Sequence, residues 1–189
     1  PFVLRNVLGM GTVAYTAVFG LCGATVTVTI AVAASLVRRF SQARQVRVGL
    51  IAGLVVDTVF AGVCLTWLRE PVAGPERMPL LVAVVALFLA HVACLGLSMG
   101  NAPALALDRT GRWAGTGSAL LGFLQFVVGG LVSPLVGLTG EASCVAFGVV
   151  IVAVGAIANI LAVLGLQEKG EKQRLAAQAS EHRQRRLGQ

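Results

Sequence analysis

The sequence predicts an all-α fold, a polytopic bundle of five transmembrane helices. Three observations predict it. Of 189 residues, 57% are hydrophobic and only 12% charged, against about 25% charged in soluble domains. The mean hydropathy is +0.86. Apolar runs that approach or exceed the ~20 residues needed to cross ~30 Å of hydrocarbon recur five times. A cleaved leader explains one such run but not five. The runs are continuously apolar and do not alternate as barrel strands do, so helix is the spanning form.

Residues 1–11, "PFVLRNVLGMG", read as the extracytoplasmic end of a truncated preceding span: a polar turn follows a short apolar stub. The five-helix bundle is expected over 12–166, with spans at about 12–37, 48–68, 79–107, 113–138 and 143–166. The connections are short. "RRFSQARQVR" (38–47) follows the first span, and "REPVAGPERM" (69–78), with two prolines and a glycine, turns the chain after the second. "DRTGR" (108–112) and "TGEAS" (139–143) join the last three spans. Residues 167–189 form a basic polar tail.

Basic residues orient the bundle. Arg38, Arg39, Arg44, Arg47, Arg109, Arg112 and six tail residues lie on one side; Arg5, Arg69 and Arg77 lie on the other. Twelve against three makes the 38–47 and 108–112 loops and the C terminus cytoplasmic, in a multi-pass cell (inner) membrane protein. The net charge of +7 therefore serves topology, and a nucleic-acid partner is not expected. Cys22, Cys64, Cys94 and Cys144 each fall in an apolar run without a C-x-x-C pair, so they read as buried, inert thiols.

Helices in lipid associate through close packing and polar contacts. The faces that do this are visible in the sequence. In the third span, His91, Cys94, Ser98 and Asn101 share a stripe, with Gly96 and Gly100 on a neighbouring face and Pro103 breaking the ladder near Asn101. In the fourth, Ser118, Gly122, Gln125 and Gly129 share a face. The first span carries Thr16 beside Gly20, Gly23 and Thr27, and the fifth carries Gly148, Gly155 and Asn159. Gly96, Gly100, Ser118, Gly122 and Gly129 are expected to pack closely. Asn101, Gln125, Ser98, Thr16 and His91 are candidates for a substrate cavity or an inter-half surface; amide glue between helices and a neutral packed histidine are the alternatives. Asp57, near the middle of the second span, costs about 2.5–3.5 kcal/mol to insert. It is either a functional charge or a protonated structural group.

No phosphate-binding G-x-x-x-x-G-K-[ST] loop, H-E-x-x-H pair or G-x-S-x-G elbow is present, so neither an enzyme nor a cofactor is expected, and no metal site. A channel, a secondary carrier or a structural subunit fits.

The stretch "GNAPALALDRTGRWAGTGSALLGFLQFVVGGLVSPLVG" (100–137) resembles the junction of the tenth and eleventh spans of major facilitator superfamily drug exporters, the Bcr/CflA (bicyclomycin and chloramphenicol resistance) branch in particular. There an N-A-x-A-L-A-L segment and a short turn precede A-G-T-A-S-A-L-L-G-x-x-Q; here they are Asn101 to Leu107 and Ala114 to Gln125, with Gly117 at the usual alanine. "PFVL" (1–4) resembles the end of that family's seventh span, and "SLVRRFSQARQVRVGL" (35–50) its loop between spans eight and nine. The resemblance implies that the chain is part of the C-terminal six-helix half of a major facilitator fold. It implies a secondary transporter, a proton-coupled exporter of small drugs or amphipathic compounds by alternating access. The partners implied are the lipid bilayer, a small-molecule substrate, protons and the N-terminal half of the same carrier. A carrier of an amino acid or sugar, or a non-transporting membrane subunit or inactive half-protein, is the alternative.

Overall fold

The computed structural model describes residues 3–68, 74–75, 77–108, 110–136 and 144–165, the side chain of Asn6 apart. Every secondary-structure element among them is helical. A short π-helix, Val3–Val7, leads into α1 (Thr12–Leu36), α2 (Gln42–Thr66), α3 (Arg77–Met99) and α4 (Asn101–Leu107). One 3-10 turn, Gly111–Trp113, opens α5 (Ala114–Val136), and α6 covers Val145–Gly165. With α3 and α4 taken as one span, five helices are long and apolar enough to cross a membrane. The all-α class and the five spans agree with the expectation from the apolar runs. The 167–189 tail, Arg109 and the 139–143 connection lie outside the described residues.

Two local features modify the plain reading of the runs. The second helix begins at Gln42, ahead of the apolar residues, because Ser41 caps it: its hydroxyl accepts from the Arg44 amide at 3.4 Å. Gln45 therefore lies on the helix rather than in a loop. The third span is interrupted at Gly100 between α3 and α4. Pro103 has no amide hydrogen to offer the Met99 carbonyl, so the ladder loses a rung where the two pieces meet. By contrast, α5 continues through Pro134 to Val136.

Packing is uneven. Among the described spans α2 is the most enclosed, burying Gln45, Val46, Gly49, Gly53, Asp57, Phe60, Ala61 and Cys64. One side of α2 lies on α3, and another lies on α6; α3 in turn packs on α1. The densest apolar cluster sits at the end of the bundle away from Arg38 and Arg39. It joins Val7 and Leu8 to Phe60, Cys64, Leu68, Val84 and Cys144. Arg77 fastens the N-terminal segment there: its Nε donates to the Leu8 carbonyl at 2.8 Å, and its terminal nitrogen donates to the Gly9 carbonyl. Gly9 has φ of 59°, a turn that favours glycine, and a Cβ there would meet the guanidinium at 2.9 Å.

The remaining surface is apolar. Val13, Phe19, Phe123, Phe126, Leu131 and Leu161 are all at least 63% exposed, an outside suited to lipid rather than water. The threonines that share this surface are satisfied within their own helices. Thr16, Thr25, Thr27 and Thr29 donate to the carbonyls of Thr12, Leu21, Gly23 and Thr25 at 2.7–2.9 Å.

The cysteines divide into two classes. Cys22 and Cys94 are free, whereas Cys64 and Cys144 form a disulfide with a Cα–Cα separation of 5.5 Å. Reading all four as inert thiols is thus corrected for this pair. The end of α2 and the start of α6 are brought together by their small-residue faces, which sequence spacing does not reveal.

Candidate functional site

The stripe of the third span meets α2, not α5. Four contacts run along one seam from the middle of the bundle to its basic end. At the top, His91 Nδ1 lies 2.6 Å from Asp57 Oδ1, at ion-pair distance without the alignment of a hydrogen bond. One turn along, Cys94 lies over Gly53, where a Cβ would make ordinary contact at 3.6 Å. Next, Ser98 and the Cys94 carbonyl press on Gly49; a Cβ there would meet them at 2.6 and 2.8 Å. At the basic end, Asn101 Nδ2 donates to Gln45 Oε1 at 3.2 Å and to the Leu97 carbonyl at 2.9 Å. The spacing of four on α2 (45, 49, 53, 57) and of three or four on α3 and α4 (91, 94, 98, 101) makes the two stripes parallel.

Asp57, Ser98, Asn101 and Gln45 are all buried, and His91 is half-buried. The carboxylate end of the seam is a small cleft lined by Val56, Phe60, Leu87, Phe88, His91 and Ile151. Above it three rings, Phe60, Phe88 and Phe147, pack with centroids 5.3–6.2 Å apart. Above the rings lies the disulfide. Behind the carboxylate, α6 passes at Gly155, where a Cβ would come within 3.3 Å of Asp57 Oδ2. Asn159 of α6 then donates to the Leu50 carbonyl of α2 at 3.0 Å. The polar surface is thus closed by apolar groups at one end and continues toward the basic end.

The other sequence candidates fall elsewhere. Gly96 and Gly100 receive α1: a Cβ on Gly96 would lie 2.7 Å from Thr29 Cβ, and one on Gly100 would lie 3.7 Å from Ile30. Thr16 is exposed, with its hydroxyl committed to Thr12. Gln125 and Ser118 are exposed on α5, and nothing lies within 4 Å of a Cβ at Gly122 or Gly129. Arg38 and Arg39 are exposed at the basic end, and Arg112 stacks on the Trp113 ring at 5.2 Å. Gln45 was missed as a partner, because a glutamine in a charged connection gives no sign of lying on a helix. Its signal was the Ser41 cap three residues before Arg44.

No solved structure matches the chain, and no family model matches it. One curated protein does. The chain is similar to a membrane transporter. Over 173 residues, 89% of its length, it is 27% identical to the uncharacterized MFS-type transporter YdgK of Bacillus subtilis (strain 168). It spans 39% of that relative's length.

The buried amide pair yields a first prediction. Asn101→Leu and Gln45→Leu are each expected to lower thermal stability in lipid nanodiscs, and a double-mutant cycle is expected to return about 0.6–2 kcal/mol of coupling. Additive single effects would show that the amides act separately.

Proposed function

We propose that the chain forms part of a secondary carrier of the major facilitator type, which exports small drugs or amphipathic compounds by alternating access, driven by proton entry. The similarity to an MFS-type transporter across 89% of the chain carries the reading. Five spanning helices with small-residue contacts support it, because glycine faces allow packed helices to shift without unlocking interdigitated side chains. The resemblance of residues 100–125 to the drug-exporter motif narrows the substrate class.

The basic end is cytoplasmic in this reading. Two independent features agree on it: the distribution of arginine and lysine, and a disulfide at the opposite end, where an oxidising compartment keeps it. Gln125 and Ser118, exposed on α5, would meet substrate or the other half of the carrier. Asn101 and Ser98 would act within the α2–α3 seam.

The test is drug susceptibility of cells lacking their main exporters and carrying the complete reading frame that contains this sequence. Expression is expected to raise the inhibitory concentration of at least one amphipathic antibiotic, chloramphenicol included in the panel, and Gln125→Ala to reduce that protection. Unchanged susceptibility across the panel removes drug export. Uptake of a labelled amino acid or sugar would then favour a metabolite carrier, and no transport of either kind would favour a non-transporting subunit.

A further inference from the structure

We propose that Asp57 and His91 together form a proton-binding site inside the bilayer, and that this site gives the carrier its sensitivity to a proton gradient. The use of the site rests on the carrier reading above; the binding of the proton does not.

The geometry carries it. A carboxylate and an imidazole from two different spanning helices meet at 2.6 Å, with the aspartate side chain 6% exposed and the histidine side chain 19%. An aspartate alone at that depth is expensive, and so is an imidazolium. Together they are neutral with one shared titratable proton, either as carboxylate and imidazolium or as carboxylic acid and imidazole. Removal of that proton leaves a net negative charge in an apolar cleft of Val56, Phe60, Leu87, Phe88 and Ile151. The pair therefore holds one exchangeable proton. The step is simple: a proton leaves hydronium on the aqueous side and forms one new O–H or N–H bond at the pair.

A second observation points to the same seam. Ser98 Oγ is buried without a hydrogen-bond partner, and His91 Nδ1 faces Asp57 off the line of a hydrogen bond. Both lie on the α2–α3 contact. Buried polar groups are rarely left unsatisfied, and here the deficit is concentrated on one line. Below the pair that line offers Cys94, Ser98, Asn101 and Gln45; above it stand the three phenylalanine rings and the disulfide. In this arrangement the seam leads from the pair to the basic end, where a proton entering the cell is released. The seam is shut at Gly49, where Ser98 Oγ and the Cys94 carbonyl leave no room for a Cβ. A proton reaches the pair when α2 and α3 part, which links occupancy to helix movement.

Few other groups can titrate nearby. Cys94 on α3 faces the same seam, and α1 brings Tyr15 against the cluster that holds Phe60; residues 145–165 of α6 include no ionisable side chain.

The test uses the full chain in lipid nanodiscs with nitrogen-15-labelled histidine. The chain has two histidines, so His182→Gln leaves His91 as the single signal. The pair is expected to gain one proton as pH falls, read as a change of charge on the ring nitrogens or as the carbonyl band of a carboxylic acid. Asp57→Asn is expected to change the titration midpoint, because the imidazolium loses its counter-charge. It should also remove the infrared carbonyl band of a buried carboxylic acid. Asp57→Glu should restore both signals, which a merely structural carboxylate would not require. A His91 ring that keeps one charge state throughout, with no carboxylic acid band that follows pH, overturns the proposal. So does a midpoint unmoved by Asp57→Asn. If Asp57→Asn does not fold, the wild-type and Asp57→Glu titrations decide alone, since a binding pair must show proton uptake in both. A chain that takes up the proton yet confers no transport leaves the site standing and overturns the carrier reading.

Discussion

Alkylation of the intact chain under denaturing conditions will tag two of its four cysteines, Cys22 and Cys94, and all four once a reductant is added. The expectation follows from the Cys64–Cys144 bond, which closes a loop with a sequence separation of 80 residues. Cross-links of that reach stabilise by about 2–4 kcal/mol, chiefly by restricting the unfolded chain. Spans that stay threaded through a bilayer are already restricted, which places the effect toward the lower part of that range. Cys64→Ser and Cys144→Ser are each expected to lower the thermal midpoint to the same extent, and the double variant no further. Four tags without reductant would show that the cysteines are thiols in the membrane. The orientation would then rest on basic residues alone.

The second large effect is expected at Gly49. A Cβ at this position would meet Ser98 Oγ at 2.6 Å, the Cys94 carbonyl at 2.8 Å and Leu97 Cβ at 3.1 Å. The carbonyl is backbone and cannot step aside as a side chain can. Gly49→Leu must therefore push α2 away from α3, at a cost of about 1–3 kcal/mol or more. That would also stretch the Asp57–His91 contact and the Asn101–Gln45 bond on either side. Two neighbours serve as controls. At Gly53, one turn along the same face, a Cβ makes ordinary contact at 3.6 Å, and Gly53→Ala should be tolerated. At Gly62 nothing lies within 4 Å, so Gly62→Ala should gain slightly from helix propensity. Thermal unfolding in nanodiscs measures all three. Equal midpoints for Gly49→Leu and Gly53→Ala would mean that α2 and α3 do not touch as described.

The long helices were legible because lipid demands long apolar runs, and these are unmistakable in a chain with so few charges. The break near Asn101 was legible from Pro103, whose missing donor acts locally. Stripes on single helices were legible for the same reason: periodicity is local. What periodicity cannot say is which stripe meets which. His91, Cys94, Ser98 and Asn101 could have faced α5, whose own small-residue face has matching spacing; only the fold turns them onto Gly53, Gly49 and Gln45 of α2. The Asp57–His91 pair was hidden in the same way. Each residue stood out alone as a costly group in an apolar run, but partners 34 positions apart in the chain carry no mark of each other. Gln45 was hidden for a further reason, since the cap that draws it into a helix depends on one serine hydroxyl.

The bond between Cys64 and Cys144 also constrains how the bundle can flex. It fastens the residue just ahead of α6 to the last turn of α2, at the extreme end of both rods. A rod of 25 residues is about 37 Å long, so a small tilt about that fulcrum becomes a wide swing at the far tip. Leverage of this kind concentrates displacement near Gln45 and leaves the pivot almost still. Whatever loosens these two rods must do so like a pair of tongs, opening toward the arginine-bearing face.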